Sequence, residues 1–421
     1  MYLTGGTTTV NGPVTNNTTL DLNYQPATFT GAVANYGTIK TTGMTATFAS
    51  TLTNETGSHY TSDPSTNVFQ ANVTTNSGSQ MSGGTGDQYY LSGGTLNNQG
   101  NFNNAGLLQS SDPITNSGTF SQTGTLIQSA NFTNSGTTTI GGSQTWVAGT
   151  TFTNTGGTAT FQSDAGPATA TLAINATGGA VNFGSTQHLA TLTVGSGATA
   201  TAAVEANQYV VSTSALNISG TGQLNLNANT LDINFPAAAD PATTIRGYIA
   251  SGYNNDTWTG AGIVSSNAAA SPGLYAVGYA DGNRDAGTPA GPNQIIVENT
   301  LAGDANLDGT VNFADLLVVA QNFNHTLDTH GNPIDWADGD FNYDGVVNFA
   351  DLLLVAQNFN RSLSASQMEQ LPGSFSAAWN LALADVQPSE SNNVPEPATA
   401  GLLTLVAGGL LARRRRNTRI R

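Results

Sequence analysis

The chain has 421 residues, a formal net charge of −16 and no cysteine, which excludes disulfides, thiolate metal centres and cysteine nucleophiles. Six of its ten basic residues lie at or beyond Arg413, so the first 412 residues carry 26 acidic and four basic side chains. That body has no basic patch for a phosphate backbone, which argues against nucleic-acid binding, and its length suits two to four domains.

Residues 1–235 read as stacked coils of a parallel β-solenoid. The segments LNNQGNF (96–102), ITNSGTF (114–120), FTNSGTT (132–138) and FTNTGGT (152–158) align, with Asn98, Asn116, Asn134 and Asn154 in phase. Gly100, Gly118, Gly136 and Gly156 keep the same phase, and VANYGTI (33–39) and LAINATGGAVNF (172–183) are weaker copies. Between the glycines lie short Thr-, Val-, Ile- and Phe-rich runs with alternating apolar residues. A unit of about 18–20 residues fits one coil of two or three short strands, stable only when several coils stack. The repeated Asn suits an amide ladder along the stack, and the repeated Gly suits a turn. The pattern resembles the β-helical passenger regions of autotransporters and other large surface proteins.

Residues 236–300 read as a β-rich cap. QLNLNANTLDINF (223–235) alternates like a strand pair, and 244–270 and 274–283 supply aromatics and turns. This stretch resembles segments that precede dockerin-like repeats in large secreted planctomycete proteins. It would cover the open solenoid edge. Arg246, Trp258 and Tyr275 read as packing residues.

Residues 301–361 carry the most specific signal. GDANLDGTVNFADLLVVAQNFN (303–324) and GDFNYDGVVNFADLLLVAQNFN (339–360) are near copies. Asp304, Asn306 and Asp308 take positions 1, 3 and 5 of a calcium loop, with Gly309 at the turn. Thr310 offers a backbone carbonyl at position 7, Asn312 falls at position 9 and Asp315 at position 12. The second copy repeats this with Asp340, Asn342, Asp344, Gly345, Val346, Asn348 and Asp351. Two Ca2+ ions are the expectation. Leu316, Val319, Ala320 and Phe323, and likewise Leu352, Val355, Ala356 and Phe359, fall at i, i+3, i+4 and i+7 of an exit helix. No comparable helix precedes either loop; QIIVENTLA before the first reads as a strand. Two such half-hands in tandem resemble a type I dockerin domain. The resemblance implies a cohesin-like partner, but positions 10 and 11, often Ser-Thr in cellulosomal dockerins, are Phe313-Ala314 and Phe349-Ala350. Apolar pairs cannot make the hydroxyls' hydrogen bonds. They imply weak pairing with cellulosomal cohesins, or packing on the protein's own solenoid or helices. Trp336 is expected to pack on the helix pair.

Residues 362–393 read as a partly helical linker. Then come Pro395, Glu396 and Pro397, the uncharged stretch 398–412, Arg413, Arg414, Arg415 and Arg416, and a basic tail at 417–421. Fifteen helical residues reach about 22 Å, short of the roughly 30 Å hydrocarbon core, so transient rather than lasting membrane insertion is expected. The order resembles the PEP-CTERM sorting signal of exopolysaccharide-producing Gram-negative bacteria, at 394–416, which implies an exosortase-type processing enzyme and export to the envelope or beyond. MYLTGGTTTVNG has neither a basic nor an apolar signal region, so the export signal is expected upstream of Met1 in a longer protein.

No catalytic residue is assigned. Residues 1–300 offer only Lys40, Arg246 and Arg284 as strong bases, Asp63, Asp87, Asp112 and Asp164 read as solitary, and His59 and His188 as isolated. The expected function is an exported structural or adhesive surface protein with a calcium-binding attachment module. The alternative is a polysaccharide-binding or -degrading subunit, a glycoside hydrolase in particular, recruited through its dockerin.

Overall fold

The computed structural model describes residues 2–3, 6–167, 169–202, 209–359 and 373–386. The first of these form a three-faced parallel solenoid. One face is a 13-stranded sheet that runs from the strand at Tyr2–Leu3 to the strand at Gly262–Val264. A second holds eight strands, up to Gln144–Trp146, and a third holds eleven, up to Leu216–Ile218. Each coil therefore uses three short strands. Their alternating sequences explain the form. In Thr119–Gln122, Phe120 and Gln122 point inward while Thr119 and Ser121 point out, and most strands share this alternation.

The interior is layered. Phe29, Phe48, Phe69 and Tyr89 stack ring on ring at 5.1, 5.3 and 6.1 Å, and Phe102 and Phe120 at 4.8 Å. Along another line the buried asparagines form the expected ladder. Nδ2 of Asn98 donates to Oδ1 of Asn116 at 2.7 Å, Asn116 to Asn134 at 2.8 Å, and Asn134 to Asn154 at 2.7 Å. An earlier run links Asn16 to Asn35 at 2.7 Å and Asn35 to Asn54 at 3.0 Å.

Gly100, Gly118 and Gly136 serve close approach rather than a left-handed turn. A Cβ on Gly118 would lie 2.1 Å from the Gly100 carbonyl oxygen, and one on Gly136 2.2 Å from that of Gly118. After the longer coil the phase slips by one. Gly157, not Gly156, stacks on Gly136, with a Cβ position 2.0 Å from its oxygen.

The two ladder runs are separated by Thr75, which pairs in register with Asn54 and Asn98. Asn54 Nδ2, Thr75 Oγ1 and Asn98 Oδ1 are buried there without a hydrogen-bond partner. Thr75→Asn should join the runs and raise stability by about 1 kcal/mol, since a buried donor and acceptor both gain partners. Denaturant midpoints check this, and an unchanged or lower midpoint would refute it.

The cap departs from the β-rich expectation at its start. Residues 242–253 form helix α1 (Ala242–Tyr253), because Ile245, Ile249 and Gly252 fall on one buried face. A Cβ on Gly252 would lie 1.8 Å from the Ile263 carbonyl oxygen, so only glycine lets the helix lie this close to the sheet. A short helix, α2 (Ser266–Ala270), follows. Nor is 223–235 a hairpin. Gln223–Asn225 pairs with Ala198–Ala202 and Gly262–Val264, whereas Thr230–Asn234 pairs with Val210–Thr213 and Gln294–Leu301. The chain turns a solenoid corner at Asn227, whose φ is +51°, so the two strands fall on different faces. The strands Gln294–Leu301 and Tyr275–Asp281 then join antiparallel and cover the last parallel edge.

Beyond the cap come α3 (Phe313–Asn322), α4 (Phe349–Asn358) and α5 (Gly373–Val386). Helix α5 lies in the segment expected to be a linker and packs on the end of α4, with the Trp379 and Phe359 rings 5.2 Å apart. Among the described residues no helix is long and apolar enough to cross a membrane. The proposed sorting residues Pro395, Glu396, Pro397 and Arg413–Arg416, with the apolar helix expected between them, lie outside the described residues.

Candidate metal centre

Each loop leads into its helix through the same device. Asn312 is the N-cap of α3, accepting from the Ala314 N–H, and Asp315 at N3 accepts from the Asn312 N–H at 2.8 Å. Asn348 and Asp351 repeat this at α4, where the Asn348 N–H donates to Asp351 at 2.9 Å. Positions 9 and 12 of each loop thus form a capping box. The other Asp315 oxygen accepts from the Ala305 N–H at 2.9 Å, and that of Asp351 from Phe341 at 2.8 Å.

Position 1 anchors the turn. Asp304 accepts from the N–H groups of Asp308 and Gly309 at 3.1 and 3.0 Å, and Asp340 from those of Asp344 and Gly345 at 3.0 Å each. Gly309 and Gly345 sit at φ +81° and +86°, the left-handed turn that position 6 requires. Asn306 and Asn342 reach Asp308 and Asp344 at 3.1 Å each, so positions 3 and 5 touch in both copies. Thr310 and Val346 each donate their N–H to the position 5 carboxylate at 2.9 Å.

Asp304, Asp315, Asp340 and Asp351 are all fully buried. Burial raises Asp315 to about 6 and Asp351 to about 7, and raises Asp304 and Asp340 as well. Burial, with the Asp304 charge behind it, also lifts Glu298 to about 7. Buried carboxylates of this kind are stable as anions only beside positive charge. The donor set is oxygen throughout, with mixed carboxylate, amide and carbonyl groups, which fits a hard cation such as calcium. The described residues hold no cluster of three or more His, Cys, Asp or Glu side chains arranged as a metal site.

Residues 302–360 match the family model of the dockerin type I domain. This segment is a type I dockerin domain. Such domains bind calcium, typically pair with cohesin domains and are generally extracellular or cell-surface modules. No curated protein and no solved structure matches the chain.

The dockerin domain is packed on the cap. Trp336 is fully buried, donates from Nε1 to the Asp304 carbonyl at 2.7 Å and stacks on Tyr343 at 5.9 Å. The Tyr343 hydroxyl donates to the Val277 carbonyl of the cap at 2.6 Å. Arg284 Nη2 donates to Asp338 at 2.6 Å, and its Nη1 lies 2.8 Å from Asp335. Asn358 Nδ2 donates to the carbonyls of Gly273 and Ala302 at 2.8 Å.

Phe313 and Phe349 pack partly buried against the same core, while Ala314 and Ala350 stay exposed. The pairs at the recognition positions are thus split, one residue inward and one outward.

Sequence reasoning missed Arg246, which is no mere packing residue: its Nη2 donates to Asp340 at 2.7 Å. It also missed Thr300, whose hydroxyl donates to Asp304. The solenoid holds a further correction. Asp164 and His188 are not solitary, since His188 Nδ1 lies 2.6 Å from an Asp164 oxygen and the His188 N–H donates to the other at 3.0 Å. Neighbouring coils bring the two together across 24 residues of sequence.

Proposed function

We propose that this chain is an exported surface protein whose solenoid is a rigid, non-catalytic body and whose dockerin domain is a calcium-stabilised attachment module. The observation that carries this reading is the joint between cap and dockerin domain, where Tyr343, Arg284 and Asn358 weld the module onto the rod. Two Ca2+ ions would be held, one by Asp304, Asn306, Asp308, Thr310, Asn312 and Asp315, the other by Asp340, Asn342, Asp344, Val346, Asn348 and Asp351. Ions held there would neutralise the buried Asp304, Asp315, Asp340 and Asp351 carboxylates. The chain's own residues do the rest: Asn312 and Asn348 cap the helices, and Gly309 and Gly345 turn the loops.

The role is structural or adhesive. Support comes from the side-chain chemistry of the rod, whose buried polar groups go chiefly into ladders and turns. Its partner through the dockerin domain is cohesin-like at the exposed Ala314 and Ala350 side, with the phenylalanines already committed inward. Residues 394–416 act as the sorting signal read by an exosortase-type enzyme.

Antibody against the solenoid should label intact cells that make the protein from its own gene, and deletion of residues 394–421 in that gene should abolish that labelling. Labelling seen only after lysis of cells with the intact gene would refute surface display.

A further inference from the structure

The two calcium loops are almost superposable in their internal hydrogen bonds, yet they differ at one oxygen. Gly309 N–H and Gly345 N–H donate to the same oxygen, Oδ2, of Asp304 and Asp340. In the first loop that oxygen also receives the hydroxyl of Thr300, a neutral group on the strand that leads into the loop. In the second it receives the Arg246 guanidinium, from α1 of the cap, 94 residues away. The Arg246 side chain is about three-quarters buried, with an exposure of 26%, and the Asp340 side chain is wholly buried. It lies over the turn, with Nη2 3.9 Å from where a Gly345 Cβ would stand. Its Nε is buried without a hydrogen-bond partner, and among the described residues its hydrogen bond is to Asp340.

We propose that Arg246 makes the two loops unequal: it places a fixed positive charge in the wall of the second loop, which therefore binds calcium more weakly than the first, and calcium there opposes the contact that ties α1 to the dockerin domain. This rests on the calcium reading of the loops. Both loops offer three aspartates, but among the described residues only in the second does a cation of the protein already offset one of them. A unit charge a few ångströms from a divalent ion opposes binding by about tenfold or more even at high effective dielectric. By linkage, filling the second loop must loosen the Arg246 contact by the same factor that Arg246 weakens the ion. The first loop fills at lower calcium and stabilises the fold, whereas the second responds at higher calcium and reports to the cap.

The test is calorimetric titration of the full chain with Ca2+. Asp308→Ala isolates the second loop and Asp344→Ala the first, both at exposed positions. The first loop should bind about tenfold or more tighter than the second. In the Asp308→Ala background, Arg246→Gln, which keeps a donor but removes the charge, should tighten binding by about tenfold. Arg246→Lys should leave it near the wild-type value, and in the Asp344→Ala background Arg246→Gln should change nothing. Equal affinities of the two loops, or a second loop weakened or unmoved by Arg246→Gln at unaltered helicity, overturn the proposal. Absence of calcium binding at both loops overturns the calcium reading itself, and the proposal with it.

Discussion

Calcium should raise the melting temperature of the full chain's dockerin domain sharply, and Asp304→Ala combined with Asp340→Ala should remove that response. Four fully buried aspartates sit in the two loops, and Asp340 alone among them pairs with a basic side chain among the described residues. Without a cation, the loops must either bury unpaired anions or take up protons. An ion that binds only the folded state stabilises it by about 4 kcal/mol per site when its free concentration is a thousandfold above Kd. In a unit of this size that is a shift on the order of 10 °C or more per filled loop. The alanine variants remove the carboxylate that anchors the position 6 turn as well as a ligand, so calcium and chelator should give the same melting curve. Scanning calorimetry with and without a chelator measures it. A wild-type chain whose melting and helicity ignore calcium would sink the metal assignment.

Asn116→Leu should destabilise the solenoid by about 3 kcal/mol. Asn116 Nδ2 donates to Asn134 Oδ1 at 2.8 Å, to the Thr137 carbonyl at 3.0 Å and to the Gly118 carbonyl at 3.2 Å, while its Oδ1 accepts from Asn98 at 2.7 Å. Leucine keeps the branched outline, with a larger volume, but leaves buried groups on three coils short of a partner, and each such group costs about 1–3 kcal/mol. Thr137→Ala, at an exposed site one strand along, should change stability by less than about 0.5 kcal/mol. Urea unfolding reads both. If Asn116→Leu unfolds at the wild-type midpoint, the ladder adds nothing to stability.

The parts of this fold that repeat were legible in the sequence. Asn98, Asn116, Asn134 and Asn154 recur in phase, and a residue that recurs in phase must meet its own copies in a stacked coil. The calcium loops were legible for the same reason, since Asp304 to Asp315 and Asp340 to Asp351 carry their geometry in local spacing. The glycines were half legible. Their phase was plain, but the close approach between coils that demands them shows only when Gly118 is set on Gly100. Helix α1 was hidden because Ile245 and Ile249 lie among Thr, Gly and Tyr, residues equally at home in a strand or turn. Arg246 to Asp340 and His188 to Asp164 are long-range pairs with no local pattern. One coarse signal for the first existed: the 303–360 segment holds nine aspartates and no Lys or Arg, and Arg246 and Arg284 are the nearest basic residues before it. Both turn out to face it.

The solenoid's geometry also has a mechanical meaning. Thirteen strands in one face, at about 4.8 Å each, make a rod on the order of 60 Å long. The dockerin domain is clamped to one end of the described rod, and the strand Tyr2–Leu3 lies at the other end of that face, the tip of what is described. The ladder asparagines donate toward the later coil in every rung, and the backbone bonds between parallel strands lie along the same axis. A pull between tip and clamp therefore loads these bonds head-on, in series. The rod should yield by shedding coils one at a time rather than by shearing as a whole.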